Sequence, residues 1–231
     1  MAKVSRSKKE LFRQKQLEWI KIGAIWGVVL PGLAYIDFLY RNPIFYTIYV
    51  VFCYFALKIT SKIRKRLVKL NADYKFLKRL EAIDEDIHAL QGVKVEKGKK
   101  GARIDWTLVN RQGVWCLEVN ILAGKICGKE NEKEWSQTLK PKNPKSKTLS
   151  FPNPLLEVRY GAKRLKDFLK QRLKEDVPVY QAVVFTNASE LEVGTFEAVL
   201  LNRLEELFQT KGDNLLTPEK IGRIVDAIKE A

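Results

Sequence analysis

Two apolar runs near the start of the chain restrict its fold more than any other feature of the sequence. Residues 22–36 and 44–57 contain no charged side chain. With their apolar neighbours, each run approaches the roughly 20 residues that a helix needs to cross a bilayer, for which ~17 is the lower limit. We therefore expect a two-helix transmembrane hairpin over residues 19–60. The alternatives are two core helices of a soluble α-helical domain, or two helices that lie flat on a membrane surface.

Basic residues are concentrated around this predicted hairpin. Residues 1–70 hold 14 Lys and Arg against 3 Asp and Glu, a net charge of +11, whereas residues 71–231 hold 28 against 24, a net charge of +4. The loop between the two runs carries only Arg41, close to Asp37. Since Lys and Arg accumulate on the cytoplasmic side of a membrane, we expect an integral membrane protein with both termini in the cytoplasm. The lipid bilayer is then one partner, because the basic flanks attract its anionic headgroups.

The sequence pattern divides the chain into four segments. Residues 1–18 are a basic cytoplasmic N-terminus, residues 19–60 the membrane hairpin, and residues 61–90 a helical stalk whose apolar residues recur every three or four positions. Residues 91–231 alternate between strand and helix patterns. Strands followed by a helix, another strand and closing helices predict an α/β domain with a mixed sheet.

Local start signals place the helices of this α/β domain. Asn153 as a cap and Pro154 at the first helical position predict a helix that ends near Lys174. Thr217 is a similar cap for a final helix. We expect a turn at Ala123-Gly124, a buried strand over residues 178–185 and closing helices over residues 196–208 and 218–229.

Two carboxylates occur in the strand–turn–strand pattern of residues 101–120. Asp105 and Glu118 each lie in an apolar segment. A buried carboxylate is unfavourable unless it is paired or bound to a metal, and convergent carboxylates suit a hard divalent cation such as Mg²⁺. The alternative is that both are ordinary hairpin residues that face water or pair with Arg103 and Arg111.

A series of short motifs surrounds these carboxylates between Gly92 and Asn187. They are Ile104-Asp105, Leu117 to Asn120, Ala123 to Ile126, Gly128, Trp135, Asn153-Pro154 and Val183 to Phe185. In order and spacing they resemble the nuclease-related domain family, whose fold is similar to the PD-(D/E)xK restriction-endonuclease fold. The resemblance implies an α/β, restriction-endonuclease-like mixed sheet flanked by helices, here preceded by the two-helix transmembrane hairpin.

The resemblance also implies a catalytic site formed by Asp105, Glu118 and the residue at position 120. The two carboxylates would bind the metal, and Mg²⁺ is the expected cofactor. The family usually has a lysine where this chain has Asn120. An asparagine can hydrogen-bond water but carries no charge, so we expect weak activity or none. Lys125 and Lys163 are the alternatives that could supply a charge from elsewhere.

Two further positions depart from the family pattern. The family tends to have a histidine after the aspartate, where this chain has Trp106, and a glutamine in the helix after Asn-Pro, where it has Glu157. Two functions therefore stay open. The first is a membrane-anchored, non-catalytic or weakly active protein that binds nucleic acid or a protein partner at the cytoplasmic membrane face. The second is a Mg²⁺-dependent nuclease that hydrolyses DNA phosphodiester bonds.

Four lysines are candidates for contact with nucleic acid. They are Lys140, Lys142, Lys145 and Lys147. They lie within the polar segment of residues 129–148, where two prolines predict a loop rather than a helix or strand. Lysines on an exposed loop can bind phosphates, which makes binding sensitive to salt. The alternative is a loop that is merely solvated.

The cysteines exclude two other classes of protein. Cys53, Cys116 and Cys127 are odd in number and include no Cys-x-x-Cys pair. The sequence therefore predicts neither a disulfide framework nor a structural zinc site.

Overall fold

The fold is described from a computed structural model of the chain. It describes residues 3–4, 8–35, 41, 43–83, 86–95, 101–139, 146–209 and 216–230. The chain forms two compact units, one of residues Ser7–Tyr74 and one of residues Met1–Arg6 with Lys75–Ala231. The longest helix contributes to both units, because it continues past Tyr74.

The first unit is a pair of antiparallel helices. Near the beginning of the first helix, the ammonium of Lys15 donates a hydrogen bond of 3.2 Å to the side-chain oxygen of Asn71, near the end of the second. At the other end of the pair, the hydroxyl of Tyr49 donates a hydrogen bond of 2.7 Å to the carbonyl of Val29. The two helices are α1 (Lys8–Ala34) and α2 (Pro43–Glu81).

Among the described residues, α2 is the one helix whose length and apolar composition suffice to cross a membrane. One such helix is weak evidence of a membrane span, because a core helix of a soluble protein passes the same test. The first apolar run lies mainly in α1, which carries charged side chains as far as Lys21. Residues 36–40 and 42, in the predicted connection, lie outside the described residues.

The second unit contains a mixed eight-stranded sheet. Its strands are β1 (Lys3–Val4), β2 (His88–Val95), β3 (Ala102–Asn110), β4 (Gly113–Gly128), β5 (Glu134–Leu139), β6 (Lys147–Pro152), β7 (Val179–Val193) and β8 (Ala198–Leu200). The strands β1 to β6 are neighbours in chain order, while β7 pairs with β4 and β8 pairs with β7. The pairs β1/β2, β4/β7 and β7/β8 are parallel and the others are antiparallel. The predicted α/β class with a mixed sheet is therefore confirmed.

Helices flank this sheet. They are α3 (Pro154–Leu173), the short α4 (Glu206–Gln209) and α5 (Pro218–Lys229). Both predicted caps are confirmed: the side chain of Asn153 accepts a hydrogen bond of 3.0 Å from the amide of Leu155, and that of Thr217 accepts one of 3.3 Å from the amide of Lys220. Each cap satisfies a backbone donor that the first turn of a helix leaves unpaired.

Both faces of the sheet are covered. On one face, α3 and α5 contribute buried residues such as Leu165 and Ile224 to the main hydrophobic core. The opposite face is aromatic: the ring of Phe76, in the last part of α2, lies 5.4 Å from that of Trp106, and Trp115 contacts Phe208 at 5.5 Å. The sheet therefore lies between two helical layers, as expected for an α/β domain.

The strand β4 is longer than the sequence pattern predicts. We expected a turn at Ala123-Gly124, but β4 continues to Gly128. Gly124 has a φ of +83°, and the pairing with β7 shifts register on either side of it. The glycine thus allows a β-bulge rather than a reversal of the chain, because β7 accompanies β4 along its whole length.

Three further predictions of loops and helices were wrong. The segment predicted as a loop contains the β5–β6 hairpin, because buried Trp135 and Gln137 alternate with more exposed residues along β5. The predicted helix over residues 196–208 is instead β8, a 3₁₀ turn (Leu201–Arg203) and α4, because its apolar residues pair with β7. The helix before the sheet ends at Glu81, and residues 88–90, predicted as helical, begin β2.

Candidate functional site

A cavity of about 160 Å³ lies between β3, β4 and the first turns of α3. It brings together both carboxylates that the sequence singled out, Asp105 and Glu118. A third carboxylate, Glu157, and the guanidinium-bearing Arg103 also line it. The apolar part of its wall consists of Ile104, Leu117, Val158 and Gly161.

The cavity lies where β3 and β4 stop pairing. Their hydrogen-bonded register ends at Trp106 opposite Leu117, so Asp105 and Glu118 come one residue beyond the last pair. Further along β4, residues 125–127 pair with β5 instead. Both carboxylates are half-buried. Beyond Leu117, β4 therefore pairs with neither β3 nor β5 until Lys125, and the cavity with its two carboxylates lies at this break in the pairing.

The helix α3 forms one wall of the cavity, opposite β3 and β4. Gly161 lies so close to β3 that a Cβ atom there would be 3.2 Å from Cγ1 of Ile104. Glu157 precedes Gly161 by four residues, so the two share one side of the helix. The cap residue Asn153 fixes the beginning of α3, since its side-chain nitrogen Nδ2 donates hydrogen bonds to the backbone carbonyls of Glu130 (3.0 Å) and Glu132 (2.8 Å).

Asn120 forms hydrogen bonds with the backbone of β4 and with β7, outside the cavity. Its side-chain oxygen accepts a hydrogen bond of 2.9 Å from the amide of Leu122, and its backbone carbonyl accepts one of 3.1 Å from the hydroxyl of Thr186. The register of β4 against β7 shifts between Asn120 and Ala123. Asn120 therefore stabilises a β-bulge, and it is not among the described residues that line the cavity.

The two lysines considered as substitutes do not line the cavity either, as far as the described residues extend. Lys125 forms ion pairs with Glu192 and, at 3.7 Å, with Glu190. The hydrogen bond with Glu192 raises the pKa of the Lys125 ammonium, so this lysine is held as a cation. Lys163 is exposed on α3.

Arg103 is the cationic side chain that lines the cavity among the described residues. From the sequence alone, Arg103 is expected only as a salt-bridge partner of the carboxylates, in the alternative without a metal. The spacing of the sequence does indicate that Arg103 lies beside the carboxylates. Arg103 precedes Asp105 by two residues, and alternate residues of a strand point to the same face. Glu157 departs from the family pattern in the sequence, and its place in the cavity lining becomes visible only in the structure.

The donor groups suit Mg²⁺ better than zinc. Among the described residues, no group of three or more His, Cys, Asp and Glu side chains is arranged to hold a metal ion. Mg²⁺ keeps several water ligands and needs one or two carboxylates, which Asp105 and Glu118 can provide. Cys116, on β4, is not a competing ligand, because burial raises the pKa of its thiol well above the ordinary value and keeps it protonated. All three cysteines are free thiols.

The four lysines predicted to contact nucleic acid are only partly described. Lys140, Lys142 and Lys145 lie outside the described residues. Lys147 is the first residue of β6 and is exposed. Their contact with phosphates stays a prediction.

Comparison with known proteins agrees with the position of the cavity. The model of the nuclease-related domain family matches residues 69–186, slightly more than half of the 231-residue chain. The matched range includes all of β3, β4 and α3, and therefore every residue that lines the cavity. No curated protein and no solved structure matches the chain. The chain belongs to the nuclease-related domain family, as its motifs predict.

Proposed function

We propose that this protein is a membrane-anchored nuclease-related domain that binds nucleic acid through a divalent cation and cleaves it weakly or not at all. The observation that carries the proposal is the cavity lined by Asp105 and Glu118, with Asn120 bound to the β4 bulge outside it. The mixed sheet between two helical layers supports the restriction-endonuclease-like form of the fold.

In the cavity, Asp105 and Glu118 hold the cation. When bound, Mg²⁺ supplies positive charge that stabilises a phosphate and its reaction with water. Arg103 binds phosphate oxygens directly, since its planar guanidinium matches their geometry. Glu157 opposes this attraction, because its carboxylate adds negative charge to the same cavity.

Weak cleavage follows from the groups that act on the attacking water. General acid–base and electrostatic groups each contribute on the order of 10²-fold or more to a rate. Asn120 supplies neither, and Arg103 cannot act as a base because a guanidinium stays protonated. An active Mg²⁺-dependent DNA nuclease is the second candidate, and it is favoured by the presence of Arg103 in the cavity, where its charge can replace that of the missing lysine.

Calorimetric titration of Mg²⁺ or Mn²⁺ into the full chain in detergent micelles tests the site. We expect Asp105→Ala and Glu118→Ala each to lower the affinity at least about 10-fold, because each removes one of two carboxylate ligands. Glu219→Ala, which removes an exposed carboxylate of α5, is the matched control and should bind as the wild type does. If all three variants bind alike, the cavity is not a cation site.

Plasmid cleavage distinguishes the two candidate functions. The wild type should show little or no Mg²⁺-dependent cleavage, and the double variant Asn120→Lys, Glu157→Gln should show more, because it removes one negative charge from the cavity and places a long cationic side chain two residues along β4 from Glu118. Brisk cleavage by the wild type that is unaffected by Asn120→Ala but abolished by Arg103→Ala would favour the active nuclease.

The membrane anchor is proposed as a two-helix hairpin with both termini in the cytoplasm. Large apolar side chains are exposed around α2, among them Ile48, Val51, Phe52, Phe55 and Leu57, and contact with lipid would cover them. The parallel pairing of β1 with β2 supports the topology. Because it keeps residues 3–4 on the same side as the sheet, the intervening segment must cross the membrane an even number of times.

Cysteine labelling tests this topology. Arg41→Cys, in a background without the three native cysteines, should react with a membrane-impermeant maleimide only from the side opposite the α/β unit. Glu134→Cys, on the exposed part of β5, is the control and should react only from the cytoplasmic side. Reaction of both cysteines from the same side would rule the hairpin out.

A further inference from the structure

The outer side of α3 carries a stripe of exposed aromatic, apolar and basic side chains beside the cavity. Leu156 and Tyr160 are each 44% exposed and are separated by four residues, so they are neighbours on the helix surface. Arg164 follows Tyr160 at the same spacing. At 3.6 residues per turn, Tyr160 and Arg164 lie within about 60° of Glu157 around the helix axis. The stripe therefore borders the cavity that Glu157 lines.

Two side chains of the stripe order each other. The guanidinium carbon of Arg164 lies 5.2 Å from the centre of the Tyr160 ring, in a cation–π contact. The same guanidinium donates hydrogen bonds of 2.8 Å and 3.1 Å to the Tyr160 hydroxyl. Binding a ligand here would lose little side-chain entropy, because both groups already have defined positions.

The charge of the stripe is positive on balance. Lys163 is exposed and lies about 60° from Tyr160 around the axis of α3, whereas Asp167, on the same side as Tyr160, is half-buried. Single exposed apolar residues are common on soluble proteins and need no explanation. Here, however, an aromatic ring, a leucine and two cations lie on neighbouring turns of α3 beside a carboxylate cavity.

We propose that this stripe, formed by Leu156, Tyr160, Lys163 and Arg164, binds single-stranded nucleic acid. An unpaired base stacks on the ring of Tyr160, and Arg164 and Lys163 bind the phosphates on either side of it. The strand then continues into the cavity of Asp105, so the inference rests on the proposed function. A duplex does not offer the same contact, since its bases are already stacked on one another.

An anionic membrane surface is the competing occupant of a basic helix face. Attraction to headgroups depends on the number of cations and does not need a fixed ring and guanidinium pair. In addition, the adjacent carboxylates Asp105, Glu118 and Glu157 would repel anionic lipid unless a cation were bound. Binding of nucleic acid accounts for the fixed Tyr160–Arg164 pair, which contacts a base and a phosphate. It also accounts for the adjacent carboxylates, because a phosphate of the same strand can bind a cation held in the cavity.

The test uses the full chain in nanodiscs of neutral phosphatidylcholine, with a fluorescein-labelled 15-nucleotide oligothymidine as the probe and Ca²⁺ in place of Mg²⁺ to suppress cleavage. Fluorescence anisotropy should give an affinity that falls roughly 10-fold in Tyr160→Ala, the loss expected for one stacked base. Tyr160→Phe keeps the ring and should bind nearly as the wild type does. Arg164→Ala should weaken binding and reduce its salt dependence.

The matched control is Arg172→Ala, which removes the same charge from the far end of α3, where Arg172 pairs with Glu230. It should change the affinity much less than Arg164→Ala. Circular dichroism confirms that each variant is folded, and all of the substituted side chains except the half-buried Arg164 are exposed.

The outcomes separate the inference from the proposed function. If the wild type binds the oligonucleotide but Tyr160→Ala binds equally well, the stripe is not the binding surface and the proposed function stands. If Arg172→Ala weakens binding as much as Arg164→Ala, the interaction is general charge attraction and the inference is overturned. If the wild type binds no oligonucleotide, the proposed function fails as well. A stripe whose variants lose binding only to phosphatidylserine vesicles would be a membrane contact instead.

Discussion

Replacement of Asn120 by alanine should destabilise the α/β unit rather than alter its chemistry. The change removes the oxygen that accepts the 2.9 Å hydrogen bond from the amide of Leu122. An amide left without its acceptor is unfavourable by about 1–3 kcal/mol when buried. Because this hydrogen bond is only partly buried, we expect a loss of about 1 kcal/mol in the free energy of unfolding. For a unit of this size, that corresponds to a decrease of about 2–4 °C in melting temperature.

The assay is thermal unfolding of the full chain in detergent, followed by tryptophan fluorescence. Trp106, Trp115 and Trp135 are all buried in the α/β unit, so their emission reports its unfolding. Asn120→Asp keeps an acceptor at the same position and should melt close to the wild type. Asn202→Ala is the matched control, because Asn202 is exposed and its backbone carbonyl, which alanine keeps, accepts the hydrogen bond from Arg79.

A specific result would refute this reasoning. If Asn120→Ala melts at the wild-type temperature, the bulge does not depend on the side chain, and the structural role assigned to Asn120 is wrong. If the same variant also loses cation binding or residual cleavage, position 120 belongs to the functional site after all.

Two further predictions concern a close helix contact and an ion pair. Gly32→Ala should lower the melting temperature of the helical unit, because the new Cβ would lie 2.3 Å from a ring atom of Tyr49. Gly23→Ala is the control and should not lower it, because the space around Gly23 is open. Equal melting temperatures of the two variants would contradict the close contact between Gly32 and Tyr49. The hydrogen bond from Lys220 lowers the pKa of the Glu175 carboxyl, so the stability that this pair provides is present above the ordinary pKa of about 4.3 and is lost as the pH falls through the lowered value. Glu175→Gln should therefore flatten the acid side of the stability–pH profile measured by chemical denaturation, and an unchanged profile would show that the ion pair does not contribute.

Much of the α/β unit could be predicted because its signals are local. The Asn153-Pro154 cap and the apolar spacing after it fix the beginning of α3 without any knowledge of its neighbours. The proximity of Asp105 and Glu118 is equally local, since residues at equal distances from a short turn between two strands come close together, here one residue beyond the last paired residues. The sequence therefore identifies the two carboxylates, whereas the cavity that they line depends on the position of α3 over the sheet.

The errors come from contacts between distant parts of the chain. Gly124 looks like a turn residue in the sequence, and only the parallel strand β7 along its side makes it a bulge. The residues at 196–208 have a helical apolar spacing, yet those at 198–200 pair with β7. In the same way, the bulge that the Asn120 side chain stabilises exists because β4 stays paired with β7 after the register shift.

The charges in the cavity connect the site with the helix beside it. Asp105, Glu118 and Glu157 against Arg103 give the lining side chains a formal charge of −2. A bound divalent cation neutralises this charge but leaves no excess to attract a polyanion. A family member with lysine in place of Asn120 and glutamine in place of Glu157 would keep a net positive site after the cation binds. In this chain the attraction for phosphate must come from outside the cavity, and the basic stripe of α3 lies at its rim.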